Sequence, residues 1–83
     1  MSLASSLVPV STAQARVESI GYLALAYTGK RLPLCVLRSH AGHYIGTADN
    51  GGPVSHESVD YYPSQHDADH ALTTGRWQQR PHP

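Results

Sequence analysis

The sequence predicts an α+β domain, a small antiparallel meander of three to four strands with one C-terminal helix packed on one face and a short helix near the N-terminus. Three observations predict it. The apolar run in "LPLCVLRS" is too short for a helix and is bounded by turn residues, as a buried strand is. "DNGGP" joins two segments of strand character through Asn-Gly and Gly-Gly, the pairs that enter left-handed hairpin geometry most easily. From Ser64 to Gly75 the chain carries a good N-cap, helical spacing and a glycine stop.

Each element has its own justification. Residues 1–10 are rich in serine, contain Pro9 and show no periodicity, so they read as a flexible arm before a single domain over 11–78. Ser11 and Gln14 have capping-box spacing, and Ala13, Val17, Ile20 and Ala24 recur at helical intervals, which predicts a short helix over Thr12–Ile20. Beyond Gly21, Leu23, Leu25 and Tyr27 alternate with Tyr22, Ala24 and Ala26, which reads as a strand over 22–28. "TGKRLP" is turn chemistry, and Leu34–Leu37 is the most apolar strand. "SHAGH" reverses the chain at Gly42, and "HYIGTA" is the hairpin partner. "VSHESVDYY" alternates Val54, His56, Ser58 and Asp60 against Ser55, Glu57, Val59 and Tyr61, so its polar character marks an outer strand. Pro63 ends it. Ser64 caps a helix to Thr74, with Asp67 at its positive end and with Tyr62 and Trp77 expected to bracket it. "RWQQR" returns as extended chain, and residues 79–83 read as a frayed end.

The segment "GHYIGTADNGGPVSHESVDYYPSQHDADHALTTGRWQQRPHP" resembles the C-terminal half of a family of small uncharacterised bacterial proteins. The shared features are a Tyr-Ile-Gly-Thr strand, a Gly-Pro turn, a Glu-Ser-x-x-Tyr strand, an Ala-rich helix and a Gly-x-Trp ending. The resemblance implies an intracellular bacterial protein with strands followed by a helix. It implies no site residues.

Composition narrows the function classes. With 83 residues the chain forms one small domain that buries only about 60 % of its unfolded surface. Six Lys and Arg balance six Asp and Glu, which removes the usual electrostatic attraction to nucleic acid or anionic membrane. The lone Cys35 forms no internal disulfide, so the cytoplasm is the expected compartment. Ala13 to Ala15 has the Ala-x-Ala form of a signal-peptidase site, but no Lys or Arg precedes it and Pro9 breaks the apolar run. No stretch is long and apolar enough to span a bilayer.

Several residue sets carry potential chemistry. In "SQHDADH", His66 and His70 stand four apart on the predicted helix, about 40° from each other, and Asp69 is a third candidate metal ligand. Ala68, Ala71 and Leu72 lie on the opposite side, so the bland reading is a solvated helix face. The set differs from the zinc-protease pattern, since Asp67 stands where that pattern has glutamate and no later ligand follows at a matching interval. His40 and His43 flank a turn, and Cys35 alternates inside the apolar run, where a thiol is usually an inert hydrophobe. Lys30, Arg31, Arg76, Trp77 and Arg80, with tyrosines for stacking, are the candidates for single-stranded nucleic acid. Against that stand the zero net charge and the need for Tyr and Trp to fill a core without phenylalanine. Glu57 with Asp60, and Asp67 with Asp69, point to opposite sides and form no acid/base couple, and Asp49 is expected to bond its own turn backbone.

These readings favour a non-enzymatic protein-interaction or regulatory module without cofactor or membrane contact, self-associating as a homodimer or binding another protein. A metal-binding protein or small hydrolase using His66 and His70 is the competing class, and nucleic-acid binding is the third.

Overall fold

The structure, a computed structural model, describes residues 19–83. The expected arm over 1–10, and all but the end of the helix expected over 12–20, lie outside the described residues. Within them the chain runs α1 (Tyr22–Thr28), β1 (Cys35–Ser39), β2 (Gly42–Asp49), β3 (Gly52–His56) and α2 (Gln65–Thr74). The strands form one antiparallel sheet in the order β1-β2-β3, the predicted meander.

One element assignment changes. Residues 22–28 are a helix and not a fourth strand. Their alternating large and small side chains satisfy either period, and the decision falls to distant groups. At the start, the Glu57 carboxylate accepts the amides of Leu23 and Ala24; at the end, Gly29 takes the left-handed conformation (φ 75°) and its amide bonds back to Ala24 and Leu25. Ile20, at the far end of the expected N-terminal helix, is extended and bridges Pro33.

The third strand also ends earlier than its alternation implies. Glu57 and Ser58 both donate their amides to the Ile45 carbonyl, at 2.9 and 3.0 Å, so two residues stand opposite one in the manner of a bulge. The Ser58 hydroxyl then accepts the Ile45 amide (3.1 Å) and donates to the Asp60 carbonyl (2.9 Å), standing in for the lost ladder. Pairing resumes at a single bridge between His43 and Tyr62. The excursion leaves Val59 and Tyr61 exposed.

Register fixes which side chains meet. Cys35 pairs Gly46, Val36 pairs Ile45, Leu37 pairs Tyr44, Gly46 pairs His56 and Thr47 pairs Ser55. Since partners directly opposite share a face, Val36, Ile45, Thr47 and Ser55 lie on one face, and Cys35, Leu37, Tyr44, Gly46 and His56 on the other. α1 packs against β3, and α2 packs against β1 and β2. The helix predicted from Ser64 is present: the Ser64 hydroxyl accepts the Asp67 amide at 3.1 Å, and Gly75 closes the helix at φ 72°. Ala68 and Ala71 are its buried residues.

The chain beyond α2, expected to fray from residue 79, is tied in at Gln79 and Arg80. Val59 donates to the Gln78 carbonyl, Arg80 donates to the Glu57 carbonyl, and Gln79 bridges Ser58. These bonds satisfy backbone groups that the bulge takes away from the sheet.

Candidate functional site: the groove beside Glu57 and the Tyr44–His56–Tyr61 layer

Glu57 is fully buried. An uncompensated carboxylate there would be costly, so its oxygens must find donors. They find four: the Leu23 and Ala24 amides at 2.9 and 3.0 Å, the Ser55 hydroxyl at 2.5 Å and the Gln79 side-chain amide at 2.8 Å. Burial pushes the carboxyl up, but the bonds from Leu23, Ser55, Gln79 and Ala24 outweigh it and hold Glu57 below the usual carboxylate range. One side chain thus fastens α1, β3 and the C-terminal segment together. Gly21 makes room for it, since a Cβ there would lie 2.6 Å from Glu57 Oε2. With its lone pairs committed, Glu57 is a structural anchor and not a free base.

On the opposite face, three rings form a layer. Tyr44 stacks on His56 with centroids 4.2 Å apart, and Tyr61 meets both edge-on, at 6.0 Å from Tyr44 and 5.0 Å from His56. Gly46 permits this. It is the residue opposite His56 and has no side chain, so the Tyr44 ring can lean across the vacant position; a Cβ on Gly46 would sit 3.0 Å from Tyr44 Cε2. His56 Nε2 is buried with no hydrogen-bond partner. Burial lowers the His56 pKa, the nearby Arg80 charge lowers it further, and the Ser58 backbone only partly opposes them, so the ring favours its neutral form. Burial also raises Tyr44, with smaller contributions from Tyr61 and Cys35.

Between α1, β3 and the C-terminal segment lies a groove of about 260 Å³. Leu23, Tyr27, Val54 and Pro83 give it apolar walls, and His56 and Arg80 complete it. The Ser55 hydroxyl at its margin donates to Glu57, and the Thr28 hydroxyl donates to the Ala24 carbonyl at 2.5 Å. Beside the groove, α1 turns Tyr22, Leu25 and Ala26 outward, one side of a helix at i, i+3 and i+4. Tyr22 and Tyr27 are 54 % and 59 % exposed, and the helix carries no charged residue.

The residues singled out by sequence are scattered. His66, Asp69 and His70 all lie exposed on α2, opposite the buried Ala68 and Ala71, and among the described residues no three metal-ligating side chains converge. Lys30 is paired with Asp49 at 2.6 Å, which holds the Asp49 carboxyl below its usual range with help from the Gly51 amide. Asp49 also accepts that amide, at 2.9 Å, as its turn position implies. Arg31 and Arg76 are exposed, Trp77 is half-buried, and Arg80 alone of that group lines the groove. Burial raises the Cys35 thiol, and Cys35 and His43 stand at opposite ends of the β1–β2 ladder. Sequence reasoning missed Glu57, His56 and Tyr44 as a constellation. The available signal was a lone glutamate two residues after Ser55, in a strand otherwise without charge before Asp60. No family model, no curated protein and no solved structure matches the chain.

Proposed function

We propose that the protein is a non-enzymatic interaction module that associates through the outer side of α1, with a second copy of the chain as its partner. The observation that carries this reading is the uncharged helix "YLALAYT", which leaves Tyr22 and Leu25 in solvent on its outer side. Aromatic and leucine side chains grouped on one helix are the material of an association surface, and no Lys, Glu or Asp dilutes them. Zero net charge offers little repulsion between copies. The polar network at Glu57 supports the same reading, because it is consumed by internal bonds and presents no convergent acid and base to a substrate. The lone thiol and the resemblance to intracellular bacterial proteins favour the cytoplasm as the place of action.

Sedimentation equilibrium of the full chain across a hundredfold concentration range tests it. The expected result is a reversible dimer in the wild type and a monomer for Leu25→Glu, with unchanged far-UV circular dichroism. A wild-type chain that stays monomeric throughout overturns the reading.

A further inference from the structure

The groove has a chemical character of its own, independent of the self-association reading. Its walls are hydrocarbon and aromatic, and no acidic side chain lines it. Among the described residues no carboxylate lies within ion-pair distance of the Arg80 guanidinium; the ion pair there is Lys30 with Asp49. The carboxylate of Glu57, whose backbone carbonyl accepts the Arg80 amide, is already surrounded by four donors. The Ser55 and Thr28 hydroxyls at the margin have given their protons to Glu57 and to the Ala24 carbonyl, so these two have none left for a ligand. What remains unmatched at the groove is the planar Arg80 cation together with the buried His56 Nε2, against otherwise apolar walls.

The complement of that arrangement is a small molecule with an apolar body and one carboxylate. A guanidinium presents paired N–H donors that fit the two oxygens of a carboxylate side by side, and low-dielectric walls strengthen that contact. A doubly charged phosphate would bring more charge than one arginine balances. The volume, about 260 Å³, lies just under the range of drug-sized pockets, which restricts the body to about a dozen heavy atoms. We propose that the groove between α1, β3 and the C-terminal segment binds a small apolar monocarboxylic acid, its body against Leu23, Tyr27 and Val54 and its carboxylate on Arg80.

The test is titration of the full chain with 3-phenylpropionate, followed by ¹H–¹⁵N NMR, beside its neutral isostere 3-phenylpropan-1-ol. Saturable shifts centred on Val54, His56 and Arg80, with the alcohol at least about tenfold weaker, are expected. Arg80→Gln should remove the acid's advantage, and Arg80→Lys should restore part of it. Because the acid and alcohol are compared in the wild type, a variant that fails to fold leaves the test intact. Equal affinity for acid and alcohol, shifts elsewhere, or no saturation below about 10 mM overturns the proposal. A peptide with a C-terminal phenylalanine carboxylate that binds more tightly than the small acid assigns the site to a partner's chain end and overturns it too. None of these outcomes depends on whether the chain dimerises.

Discussion

Glu57 shows how one buried charge organises its surroundings. Four donors from three separate segments point at its carboxylate, so removing it would strand the Leu23 and Ala24 amides and leave the Gln79 side chain only its bonds to the Glu57 and Arg80 carbonyls. Glu57→Gln keeps the shape but turns one acceptor into a donor aimed at donors. We expect it to cost about 2–4 kcal/mol in urea unfolding, a large share of the stability of so small a domain. The acid response follows in sign. Glu57 is held below its ordinary value of 4.5, so its contribution is complete above that value and is lost as pH falls through the depressed folded value. His56 acts at higher pH: its folded pKa lies below the ordinary 6.5, so the unfolded chain takes up the proton first and stability drops as pH falls below 6.5. His56→Phe keeps the stack on Tyr44 and removes the buried, unpartnered Nε2. The expected outcome is equal or slightly greater stability at pH 7 and loss of the step just below pH 6.5, read from thermal melts at successive pH values.

At the scale of elements, local and distant information divide cleanly. α2 is written in its own residues, with Ser64 capping, Asp67 in the first turn and Gly75 closing. Ser64→Ala should therefore cost about 1 kcal/mol and leave the rest of the fold in place, measurable as a lower urea midpoint with unchanged slope. α1 is different. Its sequence fits a strand as well as a helix, and a seven-residue helix has little stability alone. The carboxylate that accepts its first amides is more than thirty residues away, so no reading of 22–28 by itself could find it. β3 was legible as a strand, whereas its early end was not, because Ser58 substitutes a side chain for backbone pairing only once Ile45 lies beside it.

At the scale of the whole fold, the buried hydrophobic residues among those described are Leu23, Ala24, Tyr44, Ile45, Ala68 and Ala71, half of them alanines that enclose little hydrocarbon each. Large side chains that would normally enter such a core, Tyr22, Leu25, Tyr27, Val59 and Tyr61, stand exposed. Association that covers the α1 side should then raise the melting temperature with protein concentration, since a dimer binds the folded and not the unfolded chain. Differential scanning calorimetry over a wide concentration range should show that rise in the wild type and not in Leu25→Glu. By itself the sequence determined the meander, the capped helix, the Asp49 turn and the solvent-facing side of His66 and His70, because turn chemistry, helical caps and periodicity are properties of neighbouring residues. Only the tertiary structure decided that 22–28 is helical, that Glu57 joins three segments and that His56, Tyr44 and Tyr61 form one layer. Those outcomes arise where a buried charge or ring must be matched by groups far along the chain, and such matching exists only after the chain has closed on itself.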